Sequence, residues 1–196
     1  MKRGNPYAQA DARTRQANAE GYPARSVYKL KEIDQRCKIF RNGQRVIDLG
    51  AAPGSWSLYA SEKVGPQGKV FAIDLSKITQ GFAPNVTVVQ GDALQLGQES
   101  NPIDPLALSA VEAFDVVLSD MAPKTSGNKS RDQILSFELA MGALEVARRL
   151  GAPGSSFVAK IFMSGDFGEA KKRLTAAYAE TRVIRPEGTR SISSEV

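Results

Sequence analysis

Five strand-length apolar runs alternate with helical stretches along this chain, and that alternation leaves few folds open. The runs are RVIDL (45–49), KVFAID (69–74), VTVVQ (86–90), FDVVLSD (114–120) and SSFVAKIF (155–162). Their spacing predicts helices over 24–38, from the loop at 50–56 to Lys63, over 132–149 and over 167–180, with TRVIR (181–185) as a candidate sixth strand. Val- and Ile-rich strands separated by helices imply a doubly wound α/β fold, a mostly parallel central sheet with helices on both faces. Within the first helix Val27, Leu30 and Ile33 share a face, and Ser26 stands where an N-cap belongs. Gly65-Pro66 should close the second, and Phe137, Ala140, Leu144 and Ala147 mark the inner face of the third.

The chain of 196 residues fits one domain, at the usual ~100–200 residues each. We read residues 1–22 as a basic N-terminal arm and 23–196 as the domain. The absence of histidine removes the Ser-His-Asp triad, His-ligated zinc and a histidine base. One cysteine, Cys37, permits neither an intrachain disulfide nor a cysteine metal cluster. No apolar run approaches the ~20 residues that span a bilayer, and the N-terminus carries charge without an apolar segment after it. A cytoplasmic protein without a metal is the simplest expectation, and monomer is the default.

Charge is unevenly spread. Residues 1–45 hold 11 basic residues against four acids, a net +7, and the remainder is near neutral at −2. A basic segment on a neutral body is the footprint of a polyanion binder. Lacking a Phe/Leu-rich apolar face, it suits RNA or DNA better than a membrane. Tyr7, Tyr22 and Tyr28 lie there too, fit equally for base stacking, for the core or for a hinge.

Open α/β sheets bind ligands at the carboxyl ends of their strands. The first strand delivers Asp48 and then a turn of small residues, Gly50, Ala51, Ala52, Pro53 and Gly54, which a ligand can approach closely. The second ends in Asp74, suited to accept hydrogen bonds from both ribose hydroxyls of a nucleoside. The third is followed by Asp92, placed for an adenine amino group, and the fourth ends in Asp120. Any one of these acids is an ordinary turn or cap residue. Three successive strands ending so point to a nucleoside cofactor. Ala52 stands where the second glycine of GxGxxG would be, and Asp48 would repel a pyrophosphate. Both features disfavour a nicotinamide-dependent oxidoreductase. They suit S-adenosylmethionine, which has an ammonium, a sulfonium and no phosphate. Lys160 stands amid Phe157, Val158, Ile161 and Phe162 in an apolar run read as central, where a lone ammonium is costly, so it reads as functional. Lys29, Trp56 and Glu195 are unremarkable by themselves.

Taken together, ARSVYKLKEID (24–34), VIDLGAAPGSWS (46–57), the Asp74 strand, QGD (90–92), DVVLSDMAPKTSG (115–127), PGSSFVAKIF (153–162) and RSISSEV (190–196) resemble the FtsJ/RrmJ-type (RlmE-like) ribose 2′-O-methyltransferases. The resemblance runs in order along nearly the whole chain. It implies a Rossmann-like S-adenosylmethionine-dependent methyltransferase with a catalytic set at Lys29, Asp120, Lys160 and Glu195. It implies cofactor contacts at Gly54, Trp56, Asp74, Asp92 and Asp120. The compact length most resembles the branch acting on large-subunit ribosomal RNA, at a uridine in the loop that receives the aminoacyl-tRNA end. A tRNA or cap 2′-O-methyltransferase and a non-catalytic RNA-binding assembly factor are the alternatives. The family pattern continues past the glutamate with an antiparallel strand, which is expected to be missing because the sequence stops at Val196.

Overall fold

The computed structural model describes residues 12–97, 113–187 and 196. Its elements run in the order α1 (Ala12–Ala19), α2 (Val27–Cys37), β1 (Arg45–Leu49), α3 (Ser55–Val64), β2 (Lys69–Asp74), β3 (Val86–Gln90), β4 (Phe114–Ser119), α4 (Lys129–Leu150), β5 (Gly151–Ala159) and α5 (Phe167–Ala177). A short 3₁₀ turn covers Ala93–Gln95. The strands form one sheet in the order β3-β2-β1-β4-β5, every neighbouring pair parallel. Parallel partners need crossovers, and the intervening helices supply them.

The two-residue period of the strands divides the core between the two faces. Val46, Val70, Val116 and Leu118 pack with Val27, Leu30, Trp56, Tyr59 and Val64, on the side of α2 and α3. Ile47, Leu49, Phe71, Ile73 and Val117 pack on the other side against Ala143, Val146 and Ala147 of α4. Phe71 and Phe114 meet there edge to face, with ring centroids 5.4 Å apart. Helices therefore cover both faces of the sheet.

Several local expectations need correction. The fifth strand begins at Gly151 rather than Ser155, with a register shift between Phe114↔Gly151 and Val116↔Ser156. Pro153 has no N–H to give and Gly154 has φ 79°, so the ladder breaks there although the chain direction persists. The strand ends at Ala159, opposite Ser119, so Lys160 lies one residue beyond it. Among the described strands β5 is also an edge strand, not a central one. Residues 181–185 are not a strand. Val183 is exposed, and the Arg182 side chain turns to Glu180 instead of lying beside a ladder partner. Ser26 precedes α2 but its hydroxyl caps nothing. The helix expected over 132–149 extends to 129–150, because the Asn128 side chain accepts from Arg131 N–H and sets an earlier start. The last helix stops at Ala177 rather than residue 180. Gly65 does close α3.

Residues 12–22, assigned by composition to an arm, include α1, whose Ala17 is fully buried. The Tyr22 hydroxyl donates to Glu62 at 2.7 Å, and the Lys31 ammonium pairs with Glu20 at 2.8 Å while lying 4.3 Å from the Tyr22 ring centroid.

Replacing Phe114 with Ala should cost ~3–5 kcal/mol, the usual range for emptying a buried aromatic site. Denaturant unfolding measures this, and a loss under ~1 kcal/mol would contradict a close-packed sheet–α4 face.

Candidate active site

β1 has β2 on one side and β4 on the other, so the chain order reverses there and opens a crevice beyond the carboxyl ends. The turn after β1 is drawn tightly onto β2. Gly50 and Ala51 both donate their N–H to the Ile73 carbonyl, at 2.9 and 3.0 Å. Gly50 and Gly54 have φ of 75° and 114°, and the Ala52–Pro53 peptide is cis. A Cβ on Gly50 would run into the Met121 side chain, and one on Gly54 would lie 2.8 Å from the Phe82 ring. The turn is enclosed on two sides, and only glycine fits either place.

Asp74 is built into this turn. Its Oδ2 accepts Ala52 N–H at 3.0 Å and its Oδ1 accepts Ser76 N–H at 2.7 Å. A carboxylate has about four acceptor positions, so two remain for hydroxyl donors. Asp92 caps the 3₁₀ turn, with Oδ1 accepting Leu94 N–H at 3.0 Å and Oδ2 accepting the Gln95 side-chain amide at 3.2 Å.

Asp48 behaves differently. It is 0% exposed, and its Oδ2 accepts the Ser57 hydroxyl at 2.6 Å. Its Oδ1 has no protein partner among the described residues. Burial pushes its carboxyl up to about 7, the Asp120 and Asp74 charges add to the rise, and the Ser57 hydrogen bond opposes it. The sequence placed Asp48 to meet a cationic moiety; in the structure its carboxylate is fully buried, with one oxygen held by Ser57. Nothing in the sequence singled out Ser57, because its role depends on how α3 folds back over β1.

Lys160 and Asp120 are brought together at the ends of β5 and β4. Lys160 Nζ donates to Asp120 Oδ1 at 2.8 Å and to the Asp120 carbonyl at 2.5 Å, with the side chains 10% and 19% exposed. The Lys160 N–H continues the ladder to Ser119 O at 2.9 Å. Lys29, on α2, shares a cavity of about 830 Å³ with this pair, and the cavity continues along β5 towards α5. Glu195 lies outside the described residues. Its chain neighbour Val196 exchanges two backbone hydrogen bonds of 2.9 Å with Ile161, the residue after Lys160. The Trp56 side chain is 4% exposed, and its indole N–H donates to the Ser26 carbonyl at 2.9 Å.

The loop after Asp120 has an anchor that the sequence reading missed. Asp132 on α4 accepts Ser126 N–H at 2.9 Å and the Ser126 hydroxyl at 2.7 Å. The backbone donor, followed by the hydroxyl, holds the Asp132 carboxyl below its usual value. An acid shortly past a Thr-Ser-Gly turn was the available signal. No three His, Cys, Asp or Glu side chains among the described residues converge as a metal site. No described helix is long and apolar enough to cross a membrane.

The model of FtsJ-like methyltransferases matches residues 22–196. The chain belongs to the FtsJ-like methyltransferase family. The ribosomal RNA large subunit methyltransferase E of Sorangium cellulosum (strain So ce56) is 56% identical over 196 residues, spanning 100% of this chain and 89% of that one. The enzyme of the same name from Nitratidesulfovibrio vulgaris (strain DP4) is 48% identical over 180 residues, 91% and 86% of the two chains. The crystal structure of a Plasmodium falciparum ribosomal RNA methyltransferase shares the fold, with a TM-score of 0.70 at 24% identity over 84% and 91% of the two chains. This family member is therefore an S-adenosylmethionine-dependent methyltransferase. The site fits that cofactor: two glycines enclose a close-approach turn, and an acid beside it keeps acceptor positions open.

Asp48 makes stability depend on pH. Its folded-state value is raised above the ordinary carboxylate value of 3.8, so the folded state binds the extra proton between pH 4 and 7. Its contribution is complete below pH 4 and is lost as pH rises towards 7. Asp48→Asn should flatten the fall of the midpoint temperature across that window relative to the parent. Parallel pH curves for the two proteins would refute the assignment.

Proposed function

We propose that this chain methylates the 2′-hydroxyl of a ribose in large-subunit ribosomal RNA, at a uridine of the loop that receives the aminoacyl-tRNA end. The observation that carries the reading is the Lys160–Asp120 pair at the switch-point edge, in one cavity with Lys29. The two relatives bearing a large-subunit ribosomal RNA name support the substrate class. S-adenosylmethionine, when bound, supplies a methyl group on a positively charged sulfur.

The residues divide the work. Asp74 offers acceptors for ribose hydroxyls, Asp92 for an adenine amino group, and the enclosed turn from Gly50 through Ala51 and Pro53 to Gly54 gives close backbone approach. Asp120 fixes the Lys160 ammonium through two hydrogen bonds, and Lys29 adds positive charge to the shared cavity. A ribose hydroxyl held there meets Lys160 Nζ either as proton acceptor, which requires the free amine, or as a cation that orients the hydroxyl. Glu195 completes the set by the family resemblance. Holding a hydroxyl in line for attack accounts for ~7–11 kcal/mol of barrier in well-oriented systems, so alignment is the main task of the site.

The basic residues of 1–45 would neutralise phosphates, with Arg13 and Arg15 on the docked helix α1. Only RNA carries the 2′-hydroxyl. The free thiol of Cys37 agrees with a reducing cytoplasm.

Incubation with methyl-labelled S-adenosylmethionine and unmodified large-subunit ribosomal RNA, or its particle, should yield a labelled 2′-O-methyluridine after digestion. Label only in tRNA or capped RNA would move the substrate. Lys160→Ala should abolish turnover while cofactor affinity persists, and retained turnover would overturn the role. Parent activity should rise with pH through the lysine titration, whereas a flat profile would assign Lys160 to orienting the hydroxyl as a cation. Arg13→Ala with Arg15→Ala should shallow the salt dependence of RNA affinity, by roughly 0.7 in slope for each phosphate no longer neutralised. An unchanged slope would remove α1 from the RNA surface.

A further inference from the structure

Trp56 and Ser55 open helix α3, directly after the cofactor-binding turn. Their side chains are almost wholly buried, and Trp56 also lines the cavity of Lys29, Asp120 and Lys160. They hold the peptide segment that starts helix α2. The Ser55 hydroxyl accepts Ala24 N–H at 2.7 Å and donates to the Ala24 carbonyl at 3.1 Å. The Trp56 indole N–H donates to the Ser26 carbonyl at 2.9 Å. That same carbonyl accepts the backbone N–H of Lys29 at 3.0 Å, so Trp56 and Lys29 converge on one oxygen.

Helix α2 has no side-chain cap of its own, since the Ser26 hydroxyl makes no cap bond. An uncapped first turn frays readily. Here the N–H groups of Val27, Tyr28 and Lys29 bond to the Ala24, Arg25 and Ser26 carbonyls, and the Ala24 peptide and Ser26 carbonyl are tied to α3 by groups almost wholly buried, with Ser55 at 1% and Trp56 at 4% exposure. In water-poor surroundings such bonds keep their directional strength. Lys29 stands three residues after Ser26 and faces the cavity of Lys160 and Asp120.

We propose that Trp56 and Ser55 are positioning residues for Lys29: they fix the Ala24–Ser26 peptides, and so the place of Lys29 in the active site, rather than binding the cofactor through their side chains. This rests on the reading of Lys29 as part of the catalytic set. It gives the first turn of α3 a second task, because one helix end then registers both the cofactor turn and the lysine helix.

Trp56→Phe keeps an aromatic ring in the site, deletes the indole N–H and leaves a smaller ring in a buried position. The expected result is a roughly tenfold loss of kcat, of the order of one misplaced hydrogen bond. Cofactor affinity by titration calorimetry should stay near the parent's, while the folding midpoint falls by the cost of a smaller buried ring. Ser55→Ala should act in the same direction. In a Lys29→Ala background Trp56→Phe should cost nothing further, since residues acting through one another are not additive. A rise in the cofactor Kd matching the loss of kcat would overturn the proposal. So would an unchanged kcat, or a full additional loss in the Lys29→Ala background. If Lys29→Ala itself leaves kcat intact, the role of Lys29 in catalysis fails instead. Cofactor affinity unchanged in Trp56→Phe, measured below the variant's folding midpoint, would in that case still exclude the indole as a cofactor ligand.

Discussion

Parallel pairing of β1 with both β2 and β4 is the constraint on which the site depends. The registers put Leu49 opposite Ile73 on one side and Ser119 on the other, so three strands end at one level. The β4–β5 register then sets Ala159 opposite Ser119 and delivers Lys160 beside Asp120. Antiparallel pairing of any of these strands would send its terminal acid or lysine to the opposite edge of the sheet. Hydrogen bonding along the ladder, rather than attraction between the charged groups, therefore gathers Asp74, Asp120 and Lys160.

Electrostatics then divides the acids by burial. Asp74 keeps contact with water and two backbone donors, whereas Asp48, in the same neighbourhood, is sealed and pushed up to about 7. Desolvation and two neighbouring carboxylates act together on it. A bound cation would relieve that repulsion, which agrees with a cofactor carrying positive charge and no phosphate. Around this centre, contacts between helices do the positioning. Ser57 holds Asp48, Asp132 holds Ser126, and α3 holds the start of α2.

Much of this was legible in the chain. The Val- and Ile-rich runs identified all five described strands; the inner strands β1, β2 and β4 are almost wholly buried and have continuous apolar sequence, and the outer β3 and β5 keep apolar runs although half-exposed. The acids at their ends could be read as a ligand edge for the same reason. The segment 181–185 misled, since its apolar pair has the composition of a strand but no ladder neighbour among the described residues. The place of Lys160 was misread by one residue and one strand position, because apolar neighbours signal burial without saying what provides it.

The sequence alone determined the fold class, the small-residue turn and the identity of the charged groups, since these follow from local periodicity and side-chain chemistry. Tertiary structure decided which of those groups meet. Lys29 lies 91 positions before Asp120 and 131 before Lys160, yet all three line one cavity. The Trp56–Ser26 bond arises where α3 meets the start of α2, and the Asp48–Ser57 bond where α3 packs on β1. Such contacts depend on packing angles and burial, which no local sequence pattern encodes.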